Sequence, residues 1–142
     1  MILVYTQLPM SQANVDLMKS LYAAFANGDG PTVLAAMDPA IDWNEAENFP
    51  YADRNPYTGP AAVAEGVFSR LATEWEGFQV RPAEFLDAGD VVVALGRYSG
   101  KCLATGKVID AQFAHIWRLN GGRVTSFQQY TDTWQIVRAV QG

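Results

Sequence analysis

Histidine and cysteine are almost absent from this sequence, since His115 and Cys102 are the single members of their types among 142 residues. One cysteine cannot form a disulfide within the chain. One residue of each type is also too few for the usual zinc sites or a two-histidine iron site. We therefore expect no metal site, and any histidine-based proton transfer within one chain has to use His115.

An excess of positive charge is also absent. Acidic residues number 15 against 10 basic ones, the net charge is −5, and the lysines and arginines are scattered singly. Because no basic stripe is available to bind phosphates or anionic lipids, we expect neither nucleic acid nor a membrane as a partner. The lack of paired cysteines is typical of a reducing environment, so we expect a cytoplasmic location.

Long apolar runs are missing as well. The N-terminal sequence MILVYTQLPMSQ carries no basic segment, and its apolar stretch is too short for a signal peptide or a membrane-spanning helix. We interpret residues 1–11 as a poorly ordered extension and residues 12–142 as one domain, which agrees with the usual domain size. Met1 and Met10 are both candidates for the natural start.

Helical patterns dominate the first half of the domain. A first helix carries one apolar stripe, formed by Leu17, Met18, Leu21, Tyr22 and Phe25. Asp29 and Pro31 are typical of the cap and first turn of a second helix, and Pro60 begins a third. Residues 40–47 predict a short strand. Residues 48–60 are rich in Pro, Asn and Asp, which predicts a long loop without regular structure.

A two-residue period begins at Phe78. Three turns that each contain glycine separate four antiparallel strands, and residues 133–140 predict a short closing helix. Pro82 in the first of these strands favours an edge strand or a bulge. Helices followed by such a meander indicate an α+β fold, in which the helices cover one face of a curved sheet.

His115 lies in the most informative strand, which runs from Val108 to Leu119. The more apolar face of this strand consists of Ile109, Ala111, Phe113, His115, Trp117 and Leu119. We expect that face to point inward. A buried imidazole needs a partner for each nitrogen. Two alternatives stay open: a core histidine bonded to a backbone carbonyl or a tyrosine, and a pocket histidine that contacts a ligand.

Two carboxylates are further candidates for catalytic residues beside His115. Glu45 shares a strand face with Ile41 and Trp43, so it points inward if that strand reaches it and toward solvent if the strand ends first. A Glu in apolar surroundings has a raised pKa and is a candidate base. Asp132 follows the last strand. There it either caps the final helix or pairs with His115 and orients the imidazole.

The last strand breaks the simple alternation. Val124, Phe127 and Tyr130 lie three residues apart, which predicts a β-bulge. The pattern leaves two alternatives for the residues that face a pocket: Gln128, Tyr130 and Asp132, or Gln129 and Thr131. The candidate ligand-binding residues are Tyr22, Trp43, Trp117, Gln128 and Tyr130.

Four segments carry a family resemblance: Trp43-Asn44-Glu45, Tyr57-Thr58-Gly59-Pro60, FAHIWRLNGGRV and FQQYTDT. Together they resemble the nuclear transport factor 2-like superfamily, and within it the SnoaL-like, ketosteroid-isomerase-like branch. The resemblance covers nearly the whole of the domain. It implies a cone, in which a strongly curved antiparallel sheet wraps over three N-terminal helices around an apolar pocket. It also implies a homodimer formed through the sheet.

The same resemblance implies a small apolar ligand, polyketide-like or steroid-like, and cofactor-free chemistry of the isomerase, cyclase or lyase type. Glu45 stands near the place of the isomerase base, and His115 at the place of its protonated Asp. Tyr22 is one residue from the oxyanion-hole Tyr, and Asp132 matches the catalytic Asp of the cyclases. Because one fold hosts many functions, a non-catalytic ligand-binding domain and a dimeric interaction domain stay as alternatives.

Overall fold

The computed structural model describes the backbone of residues 2–142 and the side chains of residues 11–142. Helix α1 (Ile2–Ala26) is followed by the short helix α2 (Gly30–Ala35). Asp29 caps α2 as predicted, because its side chain accepts a hydrogen bond from the backbone N–H of Thr32 at 3.2 Å. We predicted poor order for residues 1–11. The side chains of residues 1–10 lie outside the described residues, so this stays a prediction.

Within residues 2–142, six strands form one sheet in the order β2-β1-β6-β5-β4-β3. They are β1 (Met37–Asn44), β2 (Tyr57–Thr58), β3 (Trp75–Ala88), β4 (Val91–Cys102), β5 (Val108–Asn120) and β6 (Arg123–Thr131). Strands β3 to β6 are the predicted antiparallel meander. Strand β1 pairs with β6 in parallel, so the N-terminal strand extends the meander on the side away from β3.

Helical turns fill the connection between β1 and β3. A 3₁₀ turn (Pro50–Arg54) precedes β2, and a helical segment then consists of α3 (Pro60–Val63), a π-helical turn (Ala64–Phe68) and α4 (Ser69–Glu74). Helix α5 (Thr133–Val140) closes the chain. The prediction that residues 48–60 lack regular structure was wrong. The rings of Tyr51 and Tyr57 are buried in this segment, and their packing orders it.

The core lies between the helices and the inner face of the curved sheet. The whole predicted inner face of β5 is buried: Ile109, Ala111, Phe113, His115, Trp117 and Leu119. Helix α1 contributes the buried side chains of Met18, Leu21 and Tyr22 to the same core. The two-residue alternation was a sufficient guide here, because a one-residue shift would turn every one of these side chains toward solvent.

Bulges in β3 and β6 allow the sheet to curve. In β6, Ser126 pairs with Arg118 and Val124 with Leu119, so Thr125 is the extra residue of the predicted bulge. Strand β3 has a register shift directly after Pro82 and lies at the edge of the sheet, so both predictions made from this proline are confirmed. Because a bulge bends and twists its strand, these irregularities help the sheet to wrap round the helices.

Gly66 in the π-helical turn is packed against the ring of Tyr57, and a Cβ at this position would overlap ring atom Cε1 of Tyr57. The ring is held in place, since its hydroxyl donates to the carbonyl of Tyr51 at 2.5 Å and accepts from Arg70 Nη2 at 2.8 Å. The close approach of helix and ring therefore requires glycine.

We predict that Gly66→Ala lowers the free energy of unfolding by about 1–3 kcal/mol, the usual cost of overpacking. The overlap outweighs the advantage of about 1 kcal/mol that alanine has over glycine in a helix. Chemical denaturation measures the change. Gly30→Ala is the matched control, since its Cβ would meet nothing closer than Phe68 at 3.9 Å. Equal stability of Gly66→Ala and wild type would contradict the prediction.

Candidate functional site

An apolar cavity of about 70 Å³ lies between α1, the helical segment 60–74 and the inner face of the sheet. Its polar side chains are few: Tyr22, Glu45, Tyr98, His115 and Gln129, with the indole rings of Trp43 and Trp117. Half-buried apolar side chains mark the side where the cavity approaches solvent: Phe25, Phe68, Leu71, Phe78 and Val80. A cavity of about 150 Å³ holds benzene, and this one has about half that volume. A ligand of benzene size therefore has to displace some of these half-buried side chains.

His115 is held by two tyrosine hydroxyls. Its Nδ1 lies 2.5 Å from the hydroxyl of Tyr22, and its Nε2 lies 2.5 Å from the hydroxyl of Tyr98. The imidazole is 4% exposed and also lines the cavity. The structure therefore combines the two alternatives left open by the sequence, because the histidine is bonded to tyrosines and borders a pocket at the same time.

Both tyrosine hydroxyls also accept a hydrogen bond from a donor outside the pair. Trp117 Nε1 donates to Tyr22 at 2.8 Å, and Gln129 Nε2 donates to Tyr98 at 2.9 Å. The Gln129 amide can have only one orientation, because its Oε1 accepts from the backbone N–H of Ala46 at 3.0 Å. The Tyr22–His115–Tyr98 network thus has a hydrogen-bond donor at each end.

The proton count of this network leaves one donor over. Burial lowers the pKa of His115 to about 3, so the neutral ring has one N–H and one acceptor nitrogen. Burial raises the pKa of Tyr22 and Tyr98 far above the usual range, so both hydroxyls keep their protons. The imidazole N–H and the two hydroxyl protons are three donors, but only two hydrogen bonds join the three side chains. Whichever tautomer His115 adopts, one tyrosine hydroxyl has a proton that the network does not use.

Glu45 lies one residue beyond β1 and is 4% exposed, so the structure has the inward one of its two expected orientations. Its Oε2 accepts a hydrogen bond from Trp43 Nε1 at 3.2 Å. Burial raises its pKa to about 7, and neither the bond from Trp43 nor the charge of Arg70 offsets this effect. At neutral pH the carboxyl is therefore poised between its acid and base forms.

A second, polar groove lies on the other side of Glu45. Its lining consists of Asn44, Glu45, Ala46, Glu47, Asn55, Gln128, Tyr130, Thr131 and Thr133. Glu45 lines both this outer groove and the apolar cavity. Glu45 therefore lies in the wall between an apolar compartment and a polar one.

Asp132 does not contact His115. Both imidazole nitrogens have tyrosine partners, and the Asp132 carboxyl accepts from the backbone N–H of Gln135 at 3.3 Å. Asp132 is exposed, caps α5 and is not part of the cavity lining. Of the two alternatives for Asp132, the structure has the helix cap and not the pair with His115, because the end of β6 directs the carboxyl to the following helix.

The predicted ligand-binding residues divide between the two sides of the sheet. Tyr22, Trp43 and Trp117 line the cavity. Gln128 and the 57% exposed Tyr130 line the outer groove instead. Because of the bulge in β6, Phe127 and Gln129 lie on the inner face. The alternative of Gln129 and Thr131 is therefore correct for Gln129 only, since Thr131 lines the outer groove.

Tyr98 is the residue of the site that sequence reasoning missed. It lies on the inner face of β4 with Val92 and Ala94 and pairs in register with Ala111 of β5. The alternation of β4 already placed it on an apolar face, in the strand next to that of His115. The presence of a tyrosine hydroxyl on an apolar strand face, in the strand next to His115, could have indicated a hydrogen-bond partner for the imidazole.

Metal and membrane features are absent from the residues that the structure describes. No group of three or more His, Cys, Asp or Glu side chains among them could hold a metal ion. None of the described helices is long and apolar enough to cross a membrane. The one cysteine, Cys102, is buried.

The family model of the SnoaL-like domain matches residues 18–127. The chain belongs to the SnoaL-like family. The matched segment runs from the middle of α1 into β6 and contains Tyr22, Glu45, Tyr98 and His115. None of the curated proteins compared with this SnoaL-like domain matches it.

Solved structures share its fold. A nuclear transport factor 2-like protein of Burkholderia thailandensis is 36% identical, with a TM-score of 0.87 over 91% of this chain and 98% of that one. A second, of unknown function, from Burkholderia pseudomallei is 27% identical, with a TM-score of 0.83 over 92% and 98%. TerC, co-crystallised with polyporic acid, is 25% identical, with a TM-score of 0.81 over 92% and 99%. These likenesses confirm the predicted cone-shaped α+β fold.

We predict that the imidazole of His115 does not titrate between pH 5 and 8 in the folded SnoaL-like domain. Its pKa is near 3, against 6.5 for an unperturbed histidine, because burial disfavours the charged ring. The Hε1 signal in proton NMR measures this, and it is unambiguous because the chain has a single histidine. The urea-unfolded chain is the control and titrates near 6.5. A midpoint between pH 5 and 8 in the folded protein would contradict the neutral network.

Proposed function

We propose that this SnoaL-like domain binds a small, mostly apolar molecule in its cavity and performs acid–base chemistry of the isomerase, cyclase or lyase type on it. The observation that carries the proposal is the presence of two complementary groups in one apolar cavity. Glu45 offers a carboxyl with a pKa of about 7, and the Tyr22–His115–Tyr98 network offers an unused hydroxyl proton.

The cavity lining supports a ligand with an apolar body and one acceptor oxygen. Apolar and aromatic side chains surround most of the cavity, so burial of an apolar ligand is favourable. The unused hydroxyl proton of Tyr22 or Tyr98 needs an acceptor, and a carbonyl oxygen is the simplest one. TerC, a structural relative, was co-crystallised with polyporic acid, which supports small-molecule binding by this fold.

Glu45 supplies the base in this proposal. Its carboxylate accepts a proton from the carbon beside the ligand carbonyl. The electron pair of the broken C–H bond forms a C=C bond to the carbonyl carbon, and the π pair of the C=O bond moves onto the oxygen. The resulting enolate oxygen accepts a hydrogen bond from the tyrosine hydroxyl, which stabilises the developing charge. Glu45, now a carboxylic acid, returns the proton to the same or another carbon, so the reaction requires no other reactant.

We predict that the protein accelerates the exchange of the α-protons of cyclopentanone for deuterium in D₂O. Proton NMR measures the rate from the loss of the α-proton signal. Glu45→Gln keeps the size of the side chain but removes the base, and it is expected to slow the catalysed exchange by about 10²-fold or more. Glu47→Gln is the matched control. It removes an exposed carboxylate two residues away that is outside the cavity lining, so it retains the wild-type rate.

Two results would contradict the acid–base proposal: a wild-type rate no faster than buffer, or equal rates for Glu45→Gln and wild type. Binding of cyclopentanone without any exchange would favour the second candidate, a non-catalytic ligand-binding domain. The observation in favour of that candidate is the apolar cavity itself, since it suffices for binding without Glu45.

We also propose a homodimer formed through the outer face of the sheet, as the family resemblance implies. Val93 of β4 and Ile116 of β5 pair in register on this face and are only half-buried in one copy of the chain. Apolar side chains on a sheet face are stabilised when another surface covers them.

We predict that Ile116→Glu shifts the assembly from dimer to monomer, because a charge would be buried at the paired apolar positions. Sedimentation velocity measures the molecular mass in solution. Ala72→Glu, an exposed site on α4, is the control and leaves the mass unchanged. A monomeric wild type would contradict the proposed dimer, as would a dimer that persists in Ile116→Glu.

A cytoplasmic location is part of the proposal. Its support is the single cysteine, Cys102, which is buried and has no partner for a disulfide within the chain. Proteins that fold in oxidising compartments more often carry paired cysteines.

A further inference from the structure

The backbone of Glu45 lies just beyond the ladder of β1. The last residue of β1, Asn44, pairs with Gln128 of β6, and the short strand β2 pairs with β1 only at Asp42 and Trp43. Strand pairing therefore ends before it reaches Glu45. The Glu45 carboxyl accepts a hydrogen bond from Trp43, and the backbone N–H of Ala46 donates to Gln129, but the backbone groups of Glu45 itself need a further contact.

Asn55 makes that contact with both of its amide atoms. Its Oδ1 accepts a hydrogen bond from the backbone N–H of Glu45 at 3.0 Å, and its Nδ2 donates to the backbone carbonyl of Glu45 at 2.8 Å. A hydrogen-bonded residue pair of an antiparallel ladder exchanges the same two bonds. The side-chain amide of Asn55 thus forms the two hydrogen bonds that a neighbouring strand would form with Glu45.

We propose that Asn55 is the positioning residue for Glu45, holding its carboxyl in the wall between the apolar cavity and the outer groove. This inference rests on the proposed role of Glu45 as the base. Asn55 lines the outer groove and not the cavity, so it acts through Glu45 and does not contact a ligand bound in the cavity.

The place of Asn55 is itself fixed by contacts with the helical segment. Asn55 ends the 3₁₀ turn, where its backbone N–H donates to Ala52 at 3.1 Å. Within that turn, Asp53 accepts two hydrogen bonds from the guanidinium of Arg70, at 3.0 and 2.7 Å. Planar two-point contacts of this kind fix orientation as well as distance. Helix α4 therefore supports the turn, the turn supports Asn55, and Asn55 supports Glu45.

The charged and titratable groups around Glu45 come from several elements: Arg70 of α4, Tyr57 of β2, Tyr98 of β4, His115 of β5 and Glu47 of the following loop. Arg70 favours the ionised carboxyl, but burial has the larger and opposite effect. Loss of the Asn55 amide would let the carboxyl turn toward water in the outer groove. Its pKa would then fall toward the ordinary value, since water solvates the charged form.

We predict that Asn55→Ala lowers the titration midpoint of Glu45 by at least one pH unit, a tenfold change in proton affinity. Carbon-13 NMR of glutamate-labelled protein measures the midpoint from the side-chain carboxyl signals, and Glu45→Gln assigns the Glu45 signal. Asn55→Ser removes the same amide with a smaller loss of volume, and it is expected to shift the midpoint in the same direction if Asn55→Ala does not fold.

Asn44→Ala is the matched control. Asn44 has the same side chain, precedes Glu45 directly and lines the same groove, but its amide donates to Asp42. It is expected to leave the midpoint of Glu45 unchanged. A wild-type midpoint near 4.5 would remove the base and with it the proposed function. A midpoint near 7 that persists in Asn55→Ala and Asn55→Ser, or that falls equally in Asn44→Ala, would overturn the positioning role alone.

Discussion

The imidazole of His115, neutral and bonded at both nitrogens to tyrosine hydroxyls, is the contact on which the interior depends. A buried polar ring without partners costs a few kcal/mol, so an inward His115 is compatible with this core only because Tyr22 and Tyr98 satisfy it. Tyr22 comes from α1 and Tyr98 from β4, so the Tyr22 bond joins helix to sheet, and the Tyr98 bond joins two neighbouring strands. The helix is thereby fixed at the distance from the sheet that leaves the cavity beside the ring.

Burial drives both ionisable candidates of the cavity toward their neutral forms, but the chemical result differs between them. For His115 neutrality ends any role as a base, because each nitrogen is already engaged with a hydroxyl. For Glu45 the same effect brings the pKa to about 7, where the carboxyl can take up and release a proton. The imidazole then serves as a link between two hydroxyl donors, and the carboxyl has the acid–base role.

Local patterns and long-range contacts explain which features the sequence predicted. The inner face of β5 follows from alternation within one strand, and so does the bulge of β6. The order of residues 48–60 was not predictable in this way. It comes from the burial of the Tyr51 and Tyr57 rings and from the contacts of Arg70 with Asp53 and Tyr57, which join two different segments of the chain. The choice between the two alternatives for Asp132, a helix cap or a pair with His115, was open for a similar reason. Sequence spacing did not show that Tyr98 already occupies the second nitrogen.

Because the pKa of Glu45 is raised and that of His115 is lowered, the free energy of unfolding depends on pH. Glu45 binds its proton more tightly folded than unfolded, so its contribution to stability is present below pH 4.5 and is lost as the pH rises through about 7. His115 binds its proton less tightly when folded, so its contribution is present above pH 6.5 and is lost as the pH falls toward 3. The two groups together favour a mildly acidic optimum of stability. The ionised carboxylate that the proposed chemistry uses therefore belongs to a less stable form of the same fold.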